Sequence, residues 1–346
     1  MVKNKSIRIR RIVLLLGTLI SLYFVPWPIV KAWILPLPST VQEQVNKAGN
    51  YGFDGIIVCV NKKGNQSKLY TSGYKNRENK IPADPNALFK IASVSKLYNA
   101  VAIAKLVRDK KLSLDKTLAD YLPELNGRIE YADKITLRML VMHRSGIPNF
   151  TNTYMYWAAP KETSEEQLAL VLNKPANFKP DEDYEYSNTN YLLLGKIMNR
   201  VLEYDNFQYI QDKILKPLNL KHTFGSIQNV NIDDVMSGYY VGYNSDLKTD
   251  NIGSILATAE DLSKFIRALN DGSAFRDQKE QEIYSSIYKY GHTGLIPGYQ
   301  TIAKYHKNID VVVIQYTNTV NFDGYNWNMS EIMYNRIIKI LKKQQK

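Results

Sequence analysis

The chain has 346 residues, of which 45% are hydrophobic, so it is long and apolar enough to fold around a full core. Its one cysteine, Cys59, excludes an internal disulfide framework and a zinc site built on cysteines. The formal net charge of +12 comes mainly from the two ends, because residues 1–11 and the last eleven residues contain no acid. The nearly neutral body between them argues against nucleic-acid binding.

The basic N-terminus is followed by an uncharged run from Ile12 to Val30. As a helix this run is about 28 Å long, close to the thickness of a bilayer core. Because positive residues stay in the cytoplasm, we expect an uncleaved, single-pass signal anchor with the remainder outside the cytoplasm. A cleaved signal peptide, which would leave a secreted or periplasmic protein, is the alternative. Pro36 and Pro38 indicate a short stalk, so we expect a boundary at residue 38.

In chain order, the first predicted elements after this boundary are a short helix and two strands. Residues 40–48 have the spacing of an amphipathic helix. Residues 53–60 and 67–71 have the composition of strands and are separated by a turn at residues 63–65. A long helix is predicted at residues 93–108, where apolar residues recur at helical spacing.

The middle of the chain, about residues 110–245, is predicted to be mostly helix and loop. Thr163 and Glu166 have the spacing of a capping box, in which each side chain accepts a hydrogen bond from the other's backbone N–H. Another helix is predicted at residues 189–202. Thr258 is expected to cap a helix over residues 259–269, which Gly272 ends.

Strand patterns return at residues 286–291, 299–306 and 311–316, before a last helix at residues 330–342. With two strands early and three late, both ends of the chain are expected to complete one sheet. We therefore expect a single domain over residues 39–346. Its sheet region would comprise about residues 39–109 and 246–346, with a helical lobe inserted at about residues 110–245.

Several familiar motifs are absent from the sequence, including the Gly-x-Ser-x-Gly elbow, the His-Glu-x-x-His pair and the Walker loop. The four histidines lack metal-ligand spacing, so the sequence predicts no metal site and no cofactor. What remains is Ser-x-x-Lys, which occurs four times. Only the copy formed by Ser93 and Lys96 opens a long, uninterrupted predicted helix.

On a helix, the spacing of Ser93 and Lys96 puts both side chains on one face. A desolvated, neutral lysine can take the proton that a serine must lose to become a nucleophile. Backbone N–H groups of the first helical turn would favour an oxyanion there. Ser95 is a rival, although it points about 100° away from Lys96. Alone, the motif also fits a helix-capping serine and a solvated lysine.

Two further motifs follow in the chain. Tyr186-Ser-Asn188 precedes the helix predicted at residues 189–202, although Tyr-x-Asn recurs elsewhere in the sequence. His292-Thr-Gly294 is distinctive, because no other His or Lys is followed by Ser or Thr and then Gly. Gly294 would let a substrate backbone approach a strand edge closely. Individually, these motifs also fit a loop tyrosine, a capping asparagine and a strand-end turn.

Taken together, Ser93-Val-Ser-Lys96, Tyr186-Ser-Asn188 and His292-Thr-Gly294 resemble, in this order, the motifs of the serine β-lactamase and penicillin-binding protein superfamily. The chain is most similar to the branch of class C β-lactamases, D-alanyl-D-alanine carboxypeptidases and related esterases. The similarity covers about residues 50–320, with further matching segments at residues 89–93, 112–115, 135–140, 143–146, 215–218, 257–262 and 297–299.

The resemblance implies a mixed α/β (α+β) fold, with an antiparallel five-stranded sheet flanked by helices and the site between sheet and helical lobe. It implies a serine hydrolase in which Ser93 forms an acyl-enzyme while Lys96 and Tyr186 move its proton. The oxyanion hole would use the backbone N–H groups of Ser93 and Leu295. The substrate-binding residues implied by the resemblance are Asn188, His292, Thr293 and Gly294.

The resemblance also implies a substrate class, namely D-alanyl peptide or ester bonds of cell-envelope material, with β-lactams as acylating ligands. His292 departs from the β-lactamase pattern, which has lysine at this position, and this disfavours efficient antibiotic hydrolysis. Histidine at this position is typical of the carboxypeptidase-like and esterase-like members of the superfamily. A β-lactamase, and a penicillin-binding sensor without turnover, are the alternatives. We interpret His143, in His-Arg-Ser-Gly146, as part of a structural helix end.

Overall fold

The computed structural model describes residues 2–243, 245–250 and 253–345. Its strands are β1 (Gly55–Lys62), β2 (Lys68–Asn76), β3 (Ile81–Pro82), β4 (Phe89–Lys90), β5 (Thr223–Phe224), β6 (Tyr239–Tyr240), β7 (Leu256–Ala257), β8 (His292–Ile296), β9 (Tyr299–His306), β10 (Val311–Thr317) and β11 (Thr319–Val320). Its α-helices are α1 (Val2–Tyr23), α2 (Trp27–Ile34), α3 (Val41–Val45), α4 (Ser95–Arg108), α5 (Leu118–Tyr121), α6 (Leu137–Val141), α7 (Ser164–Ala169), α8 (Asn188–Leu202), α9 (Asn206–Ile210), α10 (Ala259–Asp271), α11 (Gln278–Ser285) and α12 (Asn326–Lys343).

The main sheet is antiparallel throughout and has the strand order β3-β2-β1-β10-β9-β8. Its early strands and its late strands meet where β1 pairs with β10, with Ile57 opposite Tyr316. The two ends of the chain therefore complete one sheet, as the sequence predicts. The helices α5 to α9 lie between them in the chain and form the inserted lobe.

The centre of the sheet is buried on both faces, which explains the nearly continuous apolar composition of β1 and β10. Because side chains alternate along a strand, Ile57 and Cys59 join the core beneath α4 and α10. Ile56 and Val58 point to the opposite face and join the core beneath α3 and α12. The helices therefore cover the sheet on both sides.

The helix caps that the sequence predicts are confirmed. Thr163 and Glu166 form a reciprocal capping box at the start of α7. Thr258 Oγ1 accepts a hydrogen bond from the Asp261 N–H at the start of α10. Gly272 ends α10 with φ of 89°, a left-handed conformation that glycine adopts without steric cost.

The strand predicted at residues 286–291 is wrong. The chain continues from α11 in a helical turn, where the Tyr288 N–H bonds the Tyr284 carbonyl at 2.9 Å. The alternating tyrosines of this segment pack Tyr288 and Tyr290 against the core, which imitates the period of a strand. The edge strand β8 begins only at His292.

The sheet also has one strand more than expected. The two-residue strand β3 pairs with β2 at the exposed margin of the sheet. It contains Pro82, which lacks an N–H and is therefore suited to an edge. A segment this short has no periodicity from which it could have been predicted.

The N-terminal run is broken where Pro26 separates α1 from α2. Among the described residues, no single helix is both long and apolar enough to cross a membrane. Residues 10–23 and α2 pass that test of length and composition only as a pair, which is bent by 83°. The segment expected to be a stalk packs on the domain, since Arg336 on α12 donates to the Pro36 carbonyl at 2.7 Å.

Candidate active site

Ser93 lies in a single 3₁₀ turn, Ala92–Val94, immediately before α4. The expectation that Ser93 belongs to the long helix is therefore wrong by one turn. Ala92 has φ of 51°, a left-handed conformation that costs a non-glycine residue about 1 kcal/mol or more. Its N–H is held by Ser254 Oγ at 2.8 Å, so the bend that presents Ser93 is fixed from outside the turn.

The rival serine, Ser95, has a structural role. Its hydroxyl accepts a hydrogen bond from the Ile255 N–H at 3.1 Å and so attaches the start of α4 to the chain before β7. Ser93 Oγ instead faces the polar side chains described next. The structure therefore distinguishes the two serines by what their hydroxyls contact.

Ser93 Oγ is the centre of a short chain of hydrogen bonds. Tyr186 OH donates to it at 2.6 Å, and Lys96 Nζ lies 3.2 Å away on the first turn of α4. Lys96 Nζ also donates to Asn188 Oδ1 at 2.9 Å. Two motifs that lie far apart in the sequence, Ser93-Val-Ser-Lys96 and Tyr186-Ser-Asn188, thus meet around the Ser93 hydroxyl.

Lys96 is enclosed by protein, with 7% of its surface exposed. Burial disfavours the charged ammonium and lowers the pKa of Lys96 from 10.5 to about 7. Its Nζ lies 5.0 Å from the ring centre of Tyr186 and 5.2 Å from that of Tyr191, so two aromatic faces surround it. A substantial fraction of Lys96 is therefore neutral near pH 7, as a base must be.

Burial acts in the opposite direction on Tyr186, because a phenol is neutral when protonated. It raises the pKa of Tyr186 to about 12, while the hydrogen bond to Ser93 opposes part of this shift. Tyr186 is therefore a proton donor at neutral pH. The same buried site thus places a neutral amine and a neutral phenol within hydrogen-bond distance of one serine hydroxyl.

Asn188 is the first residue of α8, and hydrogen bonds hold both its backbone and its side chain. Its backbone N–H donates to Asn149 Oδ1 at 3.0 Å. Its side-chain Nδ2 donates to Thr151 Oγ1 at 3.2 Å, which orients Oδ1 towards Lys96. The loop at residues 149–151, which the sequence did not single out, therefore orients the Tyr186-Ser-Asn188 motif.

The edge strand β8 lies directly against the turn that carries Ser93. A Cβ built on Gly294 would be 2.4 Å from the Ile91 carbonyl oxygen and 2.9 Å from the Ala92 Cβ. Any other residue would therefore force the strand away from the turn. Leu295, the next residue, lines the cleft beside Ser93.

His292 and Thr293 occupy opposite faces of β8, because side chains alternate along a strand. Thr293 is half-buried, whereas His292 is buried, and its Nδ1 contacts the Thr293 carbonyl. Burial lowers the pKa of His292 to about 3, so this imidazole is neutral at physiological pH. Its Nε2 has no hydrogen-bond partner among the described residues.

His143 lies behind Tyr186, with the two ring centres 4.5 Å apart. Its Nδ1 accepts a hydrogen bond from the Ser187 N–H at 3.2 Å, so it contacts the Tyr186-Ser-Asn188 motif directly. Burial lowers its pKa to about 3. In the sequence, His143 belongs to the segment His-Arg-Ser-Gly146, whose pattern indicates a helix end and gives no sign that His143 contacts the site.

The site opens into a cleft of about 410 Å³ between the sheet and the helical lobe. Ser93, Lys96 and Asn188 line it, and Leu295 borders it on the sheet side. The lobe contributes walls that sequence reasoning missed, among them Phe150, Thr151, Tyr156, Trp157, Gln167 and Lys196. These residues carry no motif, and only the folded chain brings them to the cleft.

The fold and this arrangement around a serine define a class of protein, and sequence comparison agrees with them. The profile of the β-lactamase family matches residues 39–289, so the chain belongs to the β-lactamase family. Members of this family are serine hydrolases.

Among curated proteins, the chain is similar to Protein flp of Staphylococcus aureus strain MW2, with 31% identity over 189 residues. This match covers 54% of our chain but only 37% of that relative, so the chain spans well under half of the longer protein.

Among solved structures, the D-amino acid amidase from Ochrobactrum anthropi SV3 superposes with a TM-score of 0.78 and 22% identity. That match covers 88% of our chain and 99% of the amidase. A penicillin-binding protein from Bacillus halodurans superposes with a TM-score of 0.68 and 20% identity, covering 83% and 97% of the two chains. At these identities the likeness establishes the fold.

Proposed function

We propose that the chain is a membrane-anchored serine hydrolase that acts outside the cytoplasm through an acyl-enzyme on Ser93. The observation that carries the proposal is the hydrogen-bonded set of Ser93, Lys96 and Tyr186, in which burial keeps both partners of the serine neutral. A nucleophile with a neutral base and a neutral acid fits acyl transfer at neutral pH.

In the first half-reaction, Ser93 Oγ bonds to the substrate carbonyl carbon while its proton passes to neutral Lys96. The resulting oxyanion is stabilised by backbone N–H groups, for which we propose those of Ser93 and Leu295. Collapse of this intermediate breaks the bond to the leaving group, which takes the phenolic proton of Tyr186. Lys96 then returns its proton to Tyr186.

In the second half-reaction, water attacks the acyl carbon and gives a proton to Lys96. Ser93 Oγ leaves the acyl carbon and recovers its proton through Tyr186, which Lys96 reprotonates. Asn188 lines the cleft from the lobe, and we propose that it binds the substrate together with Thr293 on β8. His292 is buried and neutral, so we propose that it accepts a hydrogen bond or relays a proton and does not supply a positive charge.

We propose D-alanyl peptide or ester bonds of the cell envelope as the substrate. Support comes from the resemblance to carboxypeptidases and esterases with histidine in the third motif, and from the fold shared with a D-amino acid amidase and a penicillin-binding protein. The basic N-terminus and the uncharged run after it support an anchor with the domain outside the cytoplasm. β-Lactams would acylate the same serine.

The test is steady-state hydrolysis by the full chain of a peptide ending in D-alanyl-D-alanine, a D-alanyl ester and a chromogenic cephalosporin. We expect turnover of a D-alanyl substrate, no turnover of its L-alanyl counterpart, and loss of activity in Ser93→Ala. Ser95→Ala is the matched control, because Ser95 bonds the Ile255 N–H and not the reacting groups. Turnover of the cephalosporin alone would indicate a β-lactamase, and no turnover of any substrate a penicillin-binding sensor.

A further inference from the structure

The helix α2 is fastened to the domain by one buried arginine. Arg336, on α12, is 5% exposed, and its guanidinium has acceptors in two parts of the N-terminal region. Its Nε donates to Gln44 Oε1 at 2.8 Å. Its terminal nitrogens donate to the backbone carbonyls that follow or end α2, those of Ala32, Leu35 and Pro36. The hydrogen bonds to these three carbonyls attach the end of α2 to the domain.

The outer side of α2 is apolar and aromatic. Trp27, Trp33 and Ile34 expose 53%, 57% and 75% of their surface. The ammonium of Lys339 on α12 lies 5.2 Å from the ring centre of Trp33. Exposed tryptophans beside lysines are typical of the interface between a bilayer and water. We call the following set the α2–α12 face: Trp27, Lys31, Trp33, Ile34, Lys339, Lys342 and Lys343.

The length of α1 indicates that the α2–α12 face contacts the membrane surface. Fourteen uncharged residues lie between Arg11 and Pro26, of which Ile12 to Tyr23 belong to α1. Even if all fourteen were helical, they would span only about 21 Å. A bilayer core is about 30 Å thick, so this segment is about 9 Å too short to cross it. The helix α2 does not extend α1, because it is bent away by 83° and held by Arg336. Interfacial helices sink about 5–10 Å into the boundary between headgroups and acyl chains, a depth comparable to this deficit.

We infer that the α2–α12 face rests on a membrane leaflet rich in anionic lipids, so that the domain lies against the bilayer in a fixed orientation. The inference rests on the anchor of the proposed function. Charge complementarity supports it, since the face presents four lysines to the headgroups and each basic residue near an anionic surface favours binding. A short span and a rigid α2 then hold the cleft at a constant distance from the membrane.

The test uses the full chain in lipid nanodiscs, with bromine atoms placed near the headgroup end or near the methyl end of the acyl chains. We expect the headgroup-end bromines to quench tryptophan fluorescence more strongly than the methyl-end bromines. The double variant Trp27→Phe, Trp33→Phe should lose most of this quenching. Trp157→Phe, which changes a tryptophan in the cleft, is the matched control and should keep it.

Lipid charge is the second variable. Replacing phosphatidylglycerol by phosphatidylcholine should reduce the quenching about twofold or more, as the lysines lose their partner. Lys339→Gln, Lys342→Gln and Lys343→Gln combined should cause the same loss in anionic nanodiscs. The matched control, Lys110→Gln with Lys111→Gln, changes two exposed lysines in the turn that follows α4 and should have no effect.

The outcomes separate this inference from the anchor itself. Stronger quenching by the methyl-end bromines would place α2 inside the bilayer core and overturn the inference, and so would the absence of quenching. Extraction of membranes with alkaline carbonate tests the anchor independently. A chain that carbonate releases has no anchor, whereas a chain that resists carbonate but shows unquenched tryptophans has an anchor and no α2–α12 contact.

Discussion

At the scale of single residues, one physical effect has opposite consequences for two side chains of the candidate site. Burial favours the neutral form of every ionisable group. It therefore lowers the pKa of Lys96 to about 7 and raises that of Tyr186 to about 12. Between these values the lysine can accept a proton and the tyrosine can donate one, although both contact the same hydroxyl.

The first prediction concerns the pH dependence of hydrolysis. Since Lys96 must be neutral to act as a base, kcat/KM should rise about tenfold per pH unit on the acid side and level off above about pH 7. The measurement is the pH profile of kcat/KM for a D-alanyl ester. His292→Asn should leave the midpoint in place, because burial already lowers the pKa of His292 to about 3. A profile that is flat from about pH 5 to about pH 8 would contradict the role of Lys96.

The second prediction concerns Tyr191, whose ring face lies 5.2 Å from Lys96 Nζ. An aromatic face stabilises a desolvated ammonium by about 1–2 kcal/mol, so its removal should lower the pKa of Lys96. In Tyr191→Leu the acid side of the profile should move to lower pH by about one unit. Tyr191→Phe keeps the ring and should show the wild-type midpoint. A midpoint at higher pH in Tyr191→Leu would show that water entering the site, and not the loss of the ring, determines the pKa of Lys96.

The candidate residues were only partly predictable from the sequence. Ser93, Lys96 and Tyr186 belong to motifs whose order along the chain carries the information. Tyr191 and His143 were missed as neighbours of the site, because ordinary core packing gives the same sequence pattern as packing against a lysine. Tyr191 contacts Lys96 only because the fold brings α8 beside α4. His143 contacts Tyr186 only because the residues after α6 meet the segment before α8.

At the scale of secondary structure elements, the site depends on how closely β8 approaches the turn before α4. The strands β9 and β10 were predicted well, since long apolar alternation is a local property of the sequence. The start of β8 was not, because the tyrosines before it are spaced like a strand but pack as a helical turn. The turn at Ala92–Val94 was also missed, since its bend is held by Ser254, far away in sequence.

The third prediction tests whether the site needs the close packing of β8 against the turn before α4. In Gly294→Ala the new methyl group would meet the Ile91 carbonyl and the Ala92 Cβ, so β8 must move away from the turn. We expect kcat to fall about 100-fold, the effect of misplacing an oxyanion-hole donor. Gly49→Ala is the matched control, because a Cβ there has no heavy atom within 4 Å. Unchanged kcat in Gly294→Ala, measured with a D-alanyl ester, would show that the position of β8 does not affect the rate of the reaction.

At the scale of the whole molecule, the sheet joins the two ends of the chain, and the helical lobe is inserted between them. This arrangement follows from the strand patterns of residues 53–60 and 67–71 and of residues 299–306 and 311–316, which the sequence shows directly. The cleft between sheet and lobe does not follow from any local pattern, because its walls come from loops with no periodicity. The fold as a whole therefore buries the site, and this burial shifts the pKa values of its ionisable groups.

The fourth prediction concerns acid stability. Burial lowers the pKa of both His143 and His292 from 6.5 to about 3. The unfolded chain therefore binds protons below about pH 6.5 that the folded chain does not, so stability is complete above that pH and is lost as the pH falls towards 3. Each histidine should reduce the free energy of unfolding by about 1.4 kcal/mol per pH unit in this window.

Urea unfolding of the full chain in detergent at several pH values measures this slope. His143→Gln should lower the slope by about 1.4 kcal/mol per pH unit relative to the wild type. His222→Gln is the control, since that side chain is exposed. Equal slopes in His143→Gln and the wild type would show that His143 is hydrated in solution.

The central claim is that Ser93 forms a covalent acyl-enzyme, and the intact mass of the protein tests it most directly. The full chain is exposed to penicillin and, separately, to a D-alanyl thioester, then quenched in acid and weighed before and after proteolysis. We predict a mass increase equal to one acyl group, located on the peptide that contains Ser93, and no increase in Ser93→Ala. An adduct on any other residue, or unchanged mass with both reagents, would contradict the account.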